Sequence, residues 1–481
     1  MGMSQSHSRT PSREPLPINH QVMDIFEPSG STAKRGKKRK STKEDEMKIK
    51  KVAKLNTCAY VYQKLFLQGE DSDITISACG QEWKVHKLYL KQTKFFESMF
   101  NGVWAESKSG RVQMEITDPN IDASGLHAVL GSLYHNEIEI DIETIEGTIA
   151  AASYIVLDSV TDRCAEMMIE NLSTENAVKF YELSTKYGLR DVREKSMEML
   201  LHQFWKLMTD REKLRQLNRH LLATLLTSPD LFIIEGEFDL YKVVKLWIYM
   251  QENPVCVTNE ASDDFCQKAS KFFKETGESM FNKYADIFSC LRIEHFLTCS
   301  ETIAAVKSDN LIPHPIVDEM TSAMWISLLQ NEESPKPLEI NDEEFFKRCM
   351  RLGRSLDTFP KCWRWVGFNF GVDILLHVNE YSVCIKRNCL NQKAPYSVNL
   401  RSKQLLHYRL VICDSNGRKI FDSGKTTWEM QPDEARTIYR MNDDLATPIS
   451  VHFQFLIHQP INSTCHYVTK YLDQQISADD K

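Results

Sequence analysis

Residues 71–107 read DSDITISACGQEWKVHKLYLKQTKFFESMFNGVWAES, and within this one stretch the hydrophobic period changes from two to about 3.6. Asp73-Ile74-Thr75-Ile76-Ser77 alternates polar and apolar side chains, the pattern of a strand with one buried face. Gly80 supplies a turn, after which Trp83 and Val85 alternate again. From Lys87 to Asn101 the spacing becomes helical, with Phe95, Phe96, Met99 and Phe100 making an apolar stripe. Working outward, Val112, Met114 and Ile116 predict a third strand, and Leu126, Val129, Leu130 and Leu133 share one face of a helix that begins near Asp122. Strands first and helices after predict an α+β domain.

The same stretch resembles the BTB (POZ) signature: an S-D-I strand, an aromatic strand running into Val85-His86-Lys87, then a helix ending in Ser98-Met99-Phe100. The resemblance covers roughly residues 57–170. Residues 171–330 read as helical throughout. Ser173 or Thr174 can cap a helix at Glu175, Gly188 can stop it, and a second helix starts near Leu189. Leu240, Val243, Val244 and Trp247 keep the spacing of a buried helix face. Within this block LFIIEGEFDLYKVVKLWIYM and LRIEHFLTCSETIAAVKSDNLIP resemble the BACK domain.

A polar stretch with Pro335 and Pro337 marks a linker over 331–345. Beyond it, Leu406, Tyr408, Leu410 and Ile412 alternate, Asp414-Ser415-Asn416-Gly417 offers a hairpin turn, and Val451, Phe453, Phe455 and Ile457 alternate again. Residues 346–470 are therefore expected to be a β-rich, sandwich-like domain, and 471–481 a disordered tail. The opening CWRWVGFNFGVDILL and the later IKRNCLNQ resemble the carboxy-terminal region of the germ cell-less family, which has this same order of a basic tail, BTB, BACK and a β-rich end.

Charge is unevenly placed. Residues 1–56 hold 13 Lys/Arg against 6 Asp/Glu, whereas the remainder holds 46 against 60. The basic segment is rich in Ser, Pro and Lys and lacks periodic apolar residues, so it is expected to be disordered. Lys34, Arg35, Lys37, Lys38, Arg39 and Lys40 form a cluster of the nuclear-import kind, with a merely solubilising tail as the competing reading. No zinc finger or recognition helix accompanies the charges, so direct nucleic-acid binding is not expected. Met-Gly-Met-Ser-Gln-Ser at the start fits the myristoylation pattern, with Gly2 as acceptor and Ser6 at the required position, although so short a pattern also matches by chance. No apolar signal-peptide core and no membrane-length apolar run are read, which points to nucleus or cytosol.

The 13 cysteines are scattered from Cys58 to Cys465 with no C-x-x-C, so neither a metal site nor a redox dithiol is expected, and Cys384 and Cys389 read as buried thiols on a strand. No nucleophile elbow, phosphate loop or H-E-x-x-H occurs, and a lone His86 is read as structural. The chain is expected to be neither an enzyme nor a cofactor binder.

The BTB resemblance implies partner binding instead. BTB domains that recruit cullin-3 carry a hydrophobic-x-Glu element after the helix ending in Met-Phe, and Trp104-Ala105-Glu106 stands there, with Phe100 and Tyr134 expected to border the same surface. The competing reading packs Trp104 under its own loop. The resemblance also implies a homodimer formed through the first strand and the region of Asp73, His86 and Leu88. Cargo is expected on the last domain, where Trp363, Arg364, Trp365 and Phe368 have the composition of an interface anchor, or equally of a strand filling its own core. The reading is a substrate-recognition adaptor of a cullin-3 ubiquitin ligase, with a role in germ-cell formation or gametogenesis and a place at the nuclear envelope implied by the family. The alternative is a nuclear-envelope scaffold or transcriptional co-repressor that uses the BTB dimer without ubiquitination.

Overall fold

The computed structural model describes residues 57–101, 110–135, 137–254, 262–333, 339–366, 373–388, 403–441 and 447–479. After a helical lead-in over 57–67, strands β1 (Ile74–Ala78) and β2 (Gln81–Val85) form an antiparallel hairpin in which Ile76 faces Trp83. Cys79 and Gly80 both adopt positive φ, 46° and 73°, which suits the tight two-residue turn between right-twisted strands. The helical stretch expected over 87–101 is two helices, α1 (Lys87–Leu90) and α2 (Lys94–Asn101). The break falls where Thr93 turns its hydroxyl back to accept the Phe96 N–H at 3.3 Å and so starts a new helix. Strand β3 (Arg111–Gln113), shorter than the alternation suggested, pairs parallel with β1 at the sheet edge.

Helices α3 (Ala123–Ser132), α4 (Ile145–Tyr154) and α5 (Asp158–Glu170) cover this sheet. Leu126, Val129 and Leu130 of α3 join Ile74, Ile76, Val85 and Val112 in one core. The α3–α4 contact is backbone on backbone: a Cβ at Gly125 would lie 2.3 Å from the Gly147 carbonyl carbon, so only glycine fits.

The next block is helical. Its longer elements are α6 (Ala177–Tyr187), α7 (Arg190–His202), α8 (Arg219–Thr227), α9 (Glu237–Glu252), α10 (Ser262–Lys283), α11 (Ser300–Asp309) and α12 (His314–Glu333). Gly188 ends α6 in the left-handed conformation, φ 72°, as the sequence signalled. Leu240, Val243, Val244 and Trp247 are all buried in the bundle core.

Helix α13 (Asp342–Arg348), capped by the Asn341 side chain on the Glu344 N–H at 2.8 Å, leads into the β-rich domain, so the expected linker over 331–345 is helical at both ends. The strands are β4 (Met350–Leu356), β5 (Lys361–Val366), β6 (Asp373–Val378), β7 (Ser382–Asn388), β8 (Gln404–Cys413), β9 (Lys419–Asp422), β10 (Thr426–Met430), β11 (Ala435–Arg440) and β12 (Ile449–Leu456). One antiparallel sheet has the order β10-β8-β12-β4, with β9 also on β8, and the other has β11-β7-β6-β5. Leu406, Tyr408, Leu410, Val451, Phe453 and Phe455 from the first pack against Ile374, Leu376, Val383 and Ile385 from the second. The fold is thus α+β, a BTB-like layer, a helical bundle and a β sandwich.

The outer face of the first sheet is not open to solvent. Arg351, Arg409, His452 and Gln454 on it are buried against residues 226–237 of the helical block. A Cβ at Gly353 would sit 2.0 Å from the Ile233 carbonyl oxygen, and Gly353 accepts the Glu235 N–H at 3.1 Å.

The chain end corrects one expectation. Residues 471–479 belong to helix α14 (Thr464–Asp479) rather than to a disordered tail. Tyr467, Val468, Tyr471 and Leu472, spaced i, i+1, i+4 and i+5, pack on the helical core, and Tyr471 bonds Glu278 at 2.9 Å.

Candidate functional site

An open groove of about 600 Å³ lies on the BTB-like layer between α2, β3 and α4. Phe95, Ser98 and Met99 form one wall, and Tyr154 closes the other, its hydroxyl 3.4 Å from the Glu115 carbonyl. Val112 and Met114 are the buried floor. The walls are held rigidly by aromatic contacts: Phe95 lies 5.3 Å from Tyr154 between ring centroids, and Phe96 stacks on Phe100 at 5.9 Å. Lys87 places its ammonium 5.7 Å over the Phe100 ring, so Phe100 is half-buried at the end of α2. Trp104 and Glu106 lie outside the described residues, in the segment that connects α2 to β3 and therefore the two elements flanking the groove.

Tyr134 is not on this surface. It is only 5% exposed, its hydroxyl accepts the His86 N–H at 2.7 Å, and its ring stacks on Tyr89 at 4.2 Å. Burial pushes its phenol far above the usual value. Tyr134 is a support for the α1 turn, and the sequence pattern did not separate that role from a surface one.

The three expected dimer residues divide by environment. Asp73, just before β1, accepts the Lys87 N–H at 2.8 Å and so caps α1, while His86, at the N-cap position, sets its Nε2 2.9 Å from the Glu70 carbonyl oxygen. Both are occupied in building the turn. Asp73 remains exposed beside this bond, and Leu88 on the same turn, the apolar one of the three, is 78% exposed. Leu67 and Tyr60 in the helical lead-in are also exposed apolar residues.

In the β-rich domain Trp363 on β5 is half-buried against the sandwich core, as strand aromatics commonly are. Arg364 on the opposite face binds Asp373 through its Nε at 2.6 Å. The Trp365 side chain and Phe368 are outside the described residues, as are the basic cluster Lys34, Arg35, Lys37, Lys38, Arg39 and Lys40, and Gly2. Cys384 is only half-buried, its sulfur 3.3 Å from the Thr437 hydroxyl, and Cys389 lies outside the described residues. Cys362 lies 3.7 Å from His377 Nε2, but among the described residues no group of three or more His, Cys, Asp or Glu side chains is placed to hold a metal ion. No helix among them is long and apolar enough to cross a membrane.

Comparison with known proteins fits this geometry. Residues 62–172 match the BTB/POZ domain model. Across 427 residues the chain is 33% identical to "Germ cell-less protein-like 1" of Mus musculus, covering 85% of this chain and 81% of that protein. The chain belongs to the germ cell-less family. "Germ cell-less protein-like 1" of Homo sapiens is 32% identical over 425 residues (84% of this chain, 82% of that protein), and "Protein germ cell-less" of Drosophila melanogaster 28% over 459 (87% and 80%). The family match extends well beyond the BTB/POZ segment, so the helical bundle and the sandwich belong to the germ cell-less architecture too. This is not a known enzyme family, and its BTB/POZ domain implies dimerisation.

The sequence reading missed the groove itself. Phe95 and Met99 were visible as a helix stripe, but their neighbours Val112 and Tyr154 come from elements far along the chain, and no local spacing announces that meeting.

Proposed function

We propose that this chain is a substrate-recognition adaptor of a cullin-3 ubiquitin ligase. The observation that carries the reading is the α2–β3–α4 groove, open, with Phe95, Met99 and Tyr154 on its walls and Ser98, Gln113 and Glu115 adding polar groups, and flanked by the two elements that Trp104-Ala105-Glu106 joins in the sequence. A cleft with aromatic and methionine walls and a few polar groups is the composition of a binding site for a partner's side chains. Cargo binds the β-rich domain, whose second sheet keeps an outer face toward solvent while the first is spent on the helical block. The adaptor itself transfers nothing; a RING partner on the cullin positions the loaded conjugating enzyme. A dimer through the Leu88 turn presents two cargo arms and gains avidity without new contacts. The family names carry a role in germ-cell formation, and the basic cluster at Lys34–Lys40, with Gly2 as an acylation point, supports a nuclear-envelope location.

Changing Trp104→Ala together with Glu106→Ala in the full chain should abolish co-purification of cullin-3 from cells while the dimer persists. Undiminished co-purification would overturn the reading and leave the BTB layer to scaffold assembly alone.

A further inference from the structure

Between Met320 and Leu329, α12 carries apolar residues on both sides. Met320, Met324, Ser327 and Leu328 are buried against the rest of the molecule. On the opposite side Trp325 is 46% exposed, Ile326 53% and Leu329 38%. A surface helix of a globular protein turns polar residues outward, so a second apolar face marks a contact made with something else. The described residues include ten large exposed hydrophobics, and three fall within these five positions, a cluster rather than scatter.

Charge decides what the face accepts. At about 100° per residue, Asp318 and Glu333 project on the same outward side and bracket the apolar patch along the helix. Helix α12 carries Asp318, Glu319, Glu332 and Glu333 and no Lys or Arg. Its acids attract cations from elsewhere: Lys307 meets Asp318 at 2.5 Å, and Lys470 meets Glu319 at 2.5 Å. Asp318 nonetheless keeps 63% of its side chain exposed.

We propose that this face of α12 docks a basic amphipathic helix of a partner protein, with apolar side chains on Trp325, Ile326 and Leu329 and Lys or Arg reaching Asp318 and Glu333. Such a helix lays an apolar stripe into the patch, and Trp325 is of the residue type that anchors interfaces. Asp318 already shares its charge with Lys307, so an acidic segment would meet like charge chiefly at the Glu333 end of the patch. The surface lies on the helical block, away from the BTB groove, and does not depend on cullin binding.

Fluorescence anisotropy on the full chain tests this with two labelled synthetic peptides. One has Leu at i, i+3, i+4 and i+7 and Lys elsewhere; the other has Glu in place of Lys. The Lys peptide should bind saturably and the Glu peptide should not. Ile326→Ser with Leu329→Ser should weaken binding about tenfold or more, and Leu329→Lys alone, a milder change at an exposed position, should weaken it in the same direction. Asp318→Asn with Glu333→Gln should flatten its salt dependence. Tyr381→Ser, at an exposed aromatic elsewhere, should leave it unchanged. Equal binding of both peptides, no binding of the Lys peptide, or full binding by folded variants would overturn the proposal. So would a higher oligomer of the wild type that Leu329→Lys dissolves, since that assigns the face to a second copy.

Discussion

Arg351 and Glu237 form a two-pronged ion pair with essentially no exposure to solvent: Nε meets Oε1 at 2.7 Å and Nη2 meets Oε2 at 2.9 Å. The remaining guanidinium nitrogen donates to the Leu226 and Ser228 carbonyls at 2.9 and 3.0 Å. The arginine is on the first strand of the sandwich and the glutamate on the first turn of α9, so one fully satisfied cluster ties the β sandwich to the helical block. Desolvation opposes ionisation of Glu237, yet the Arg351 charge and hydrogen bonds outweigh it and hold the carboxyl below its usual range.

Replacing Glu237→Ala strands a buried guanidinium and should cost about 3–5 kcal/mol in urea unfolding. Because the folded carboxyl lies below the ordinary 4.5, its contribution is complete above that value and is lost as pH falls through the lower folded value. Wild type should therefore lose stability faster than Glu237→Ala in that acid range. A variant as stable as wild type would show that the pair does not hold the two domains together.

A second pH dependence lies nearer neutrality. His452 is buried on the inner side of this interface, its ring edge-on to Phe232 at 5.4 Å, and burial together with Arg351 and Arg409 keeps its imidazole well below 6.5. His202, His295 and His458 are depressed in the same way, mainly by burial. The unfolded chain binds protons near 6.5 that the folded chain refuses, so stability should fall as pH drops through 6.5. His452→Asn should reduce that slope by up to one proton, about 1.4 kcal/mol per pH unit, in unfolding free energies measured between pH 7 and about pH 5. An unchanged slope would mean His452 is as easily protonated folded as unfolded.

Leu88 supplies the dimer prediction. With 78% of its surface exposed on a turn whose other members are fixed by hydrogen bonds, Leu88→Asp should cost little monomer stability and should shift the chain from dimer to monomer in light scattering at micromolar concentration. A dimer that survives the change would move the interface elsewhere.

The legible parts of this fold are those where one residue's fate depends on near neighbours. Alternation at Ile74 and Ile76, the stripe Leu126, Val129, Leu130 and the stop at Gly188 were readable because strand and helix periods are local. On β8 and β12 alternation located the sandwich core but implied that Arg409, His452 and Gln454 face water. They are buried because the segment around Pro229 and Ile233 supplies polar partners from far away in the chain. Tyr134 was misplaced for the same reason, since an aromatic at the end of α3 looks identical in sequence whether it meets solvent or the His86 N–H. The terminal helix could have been found: Tyr467, Val468, Tyr471 and Leu472 carry its apolar edge in plain spacing.

The most direct measurement is the affinity of the purified full chain for the amino-terminal domain of cullin-3, by titration calorimetry, with groove variants beside wild type. Met99→Ala with Tyr154→Ala should raise Kd about tenfold or more while the dimer and its unfolding transition stay intact. An unchanged Kd, or no binding by wild type at all, would contradict the account.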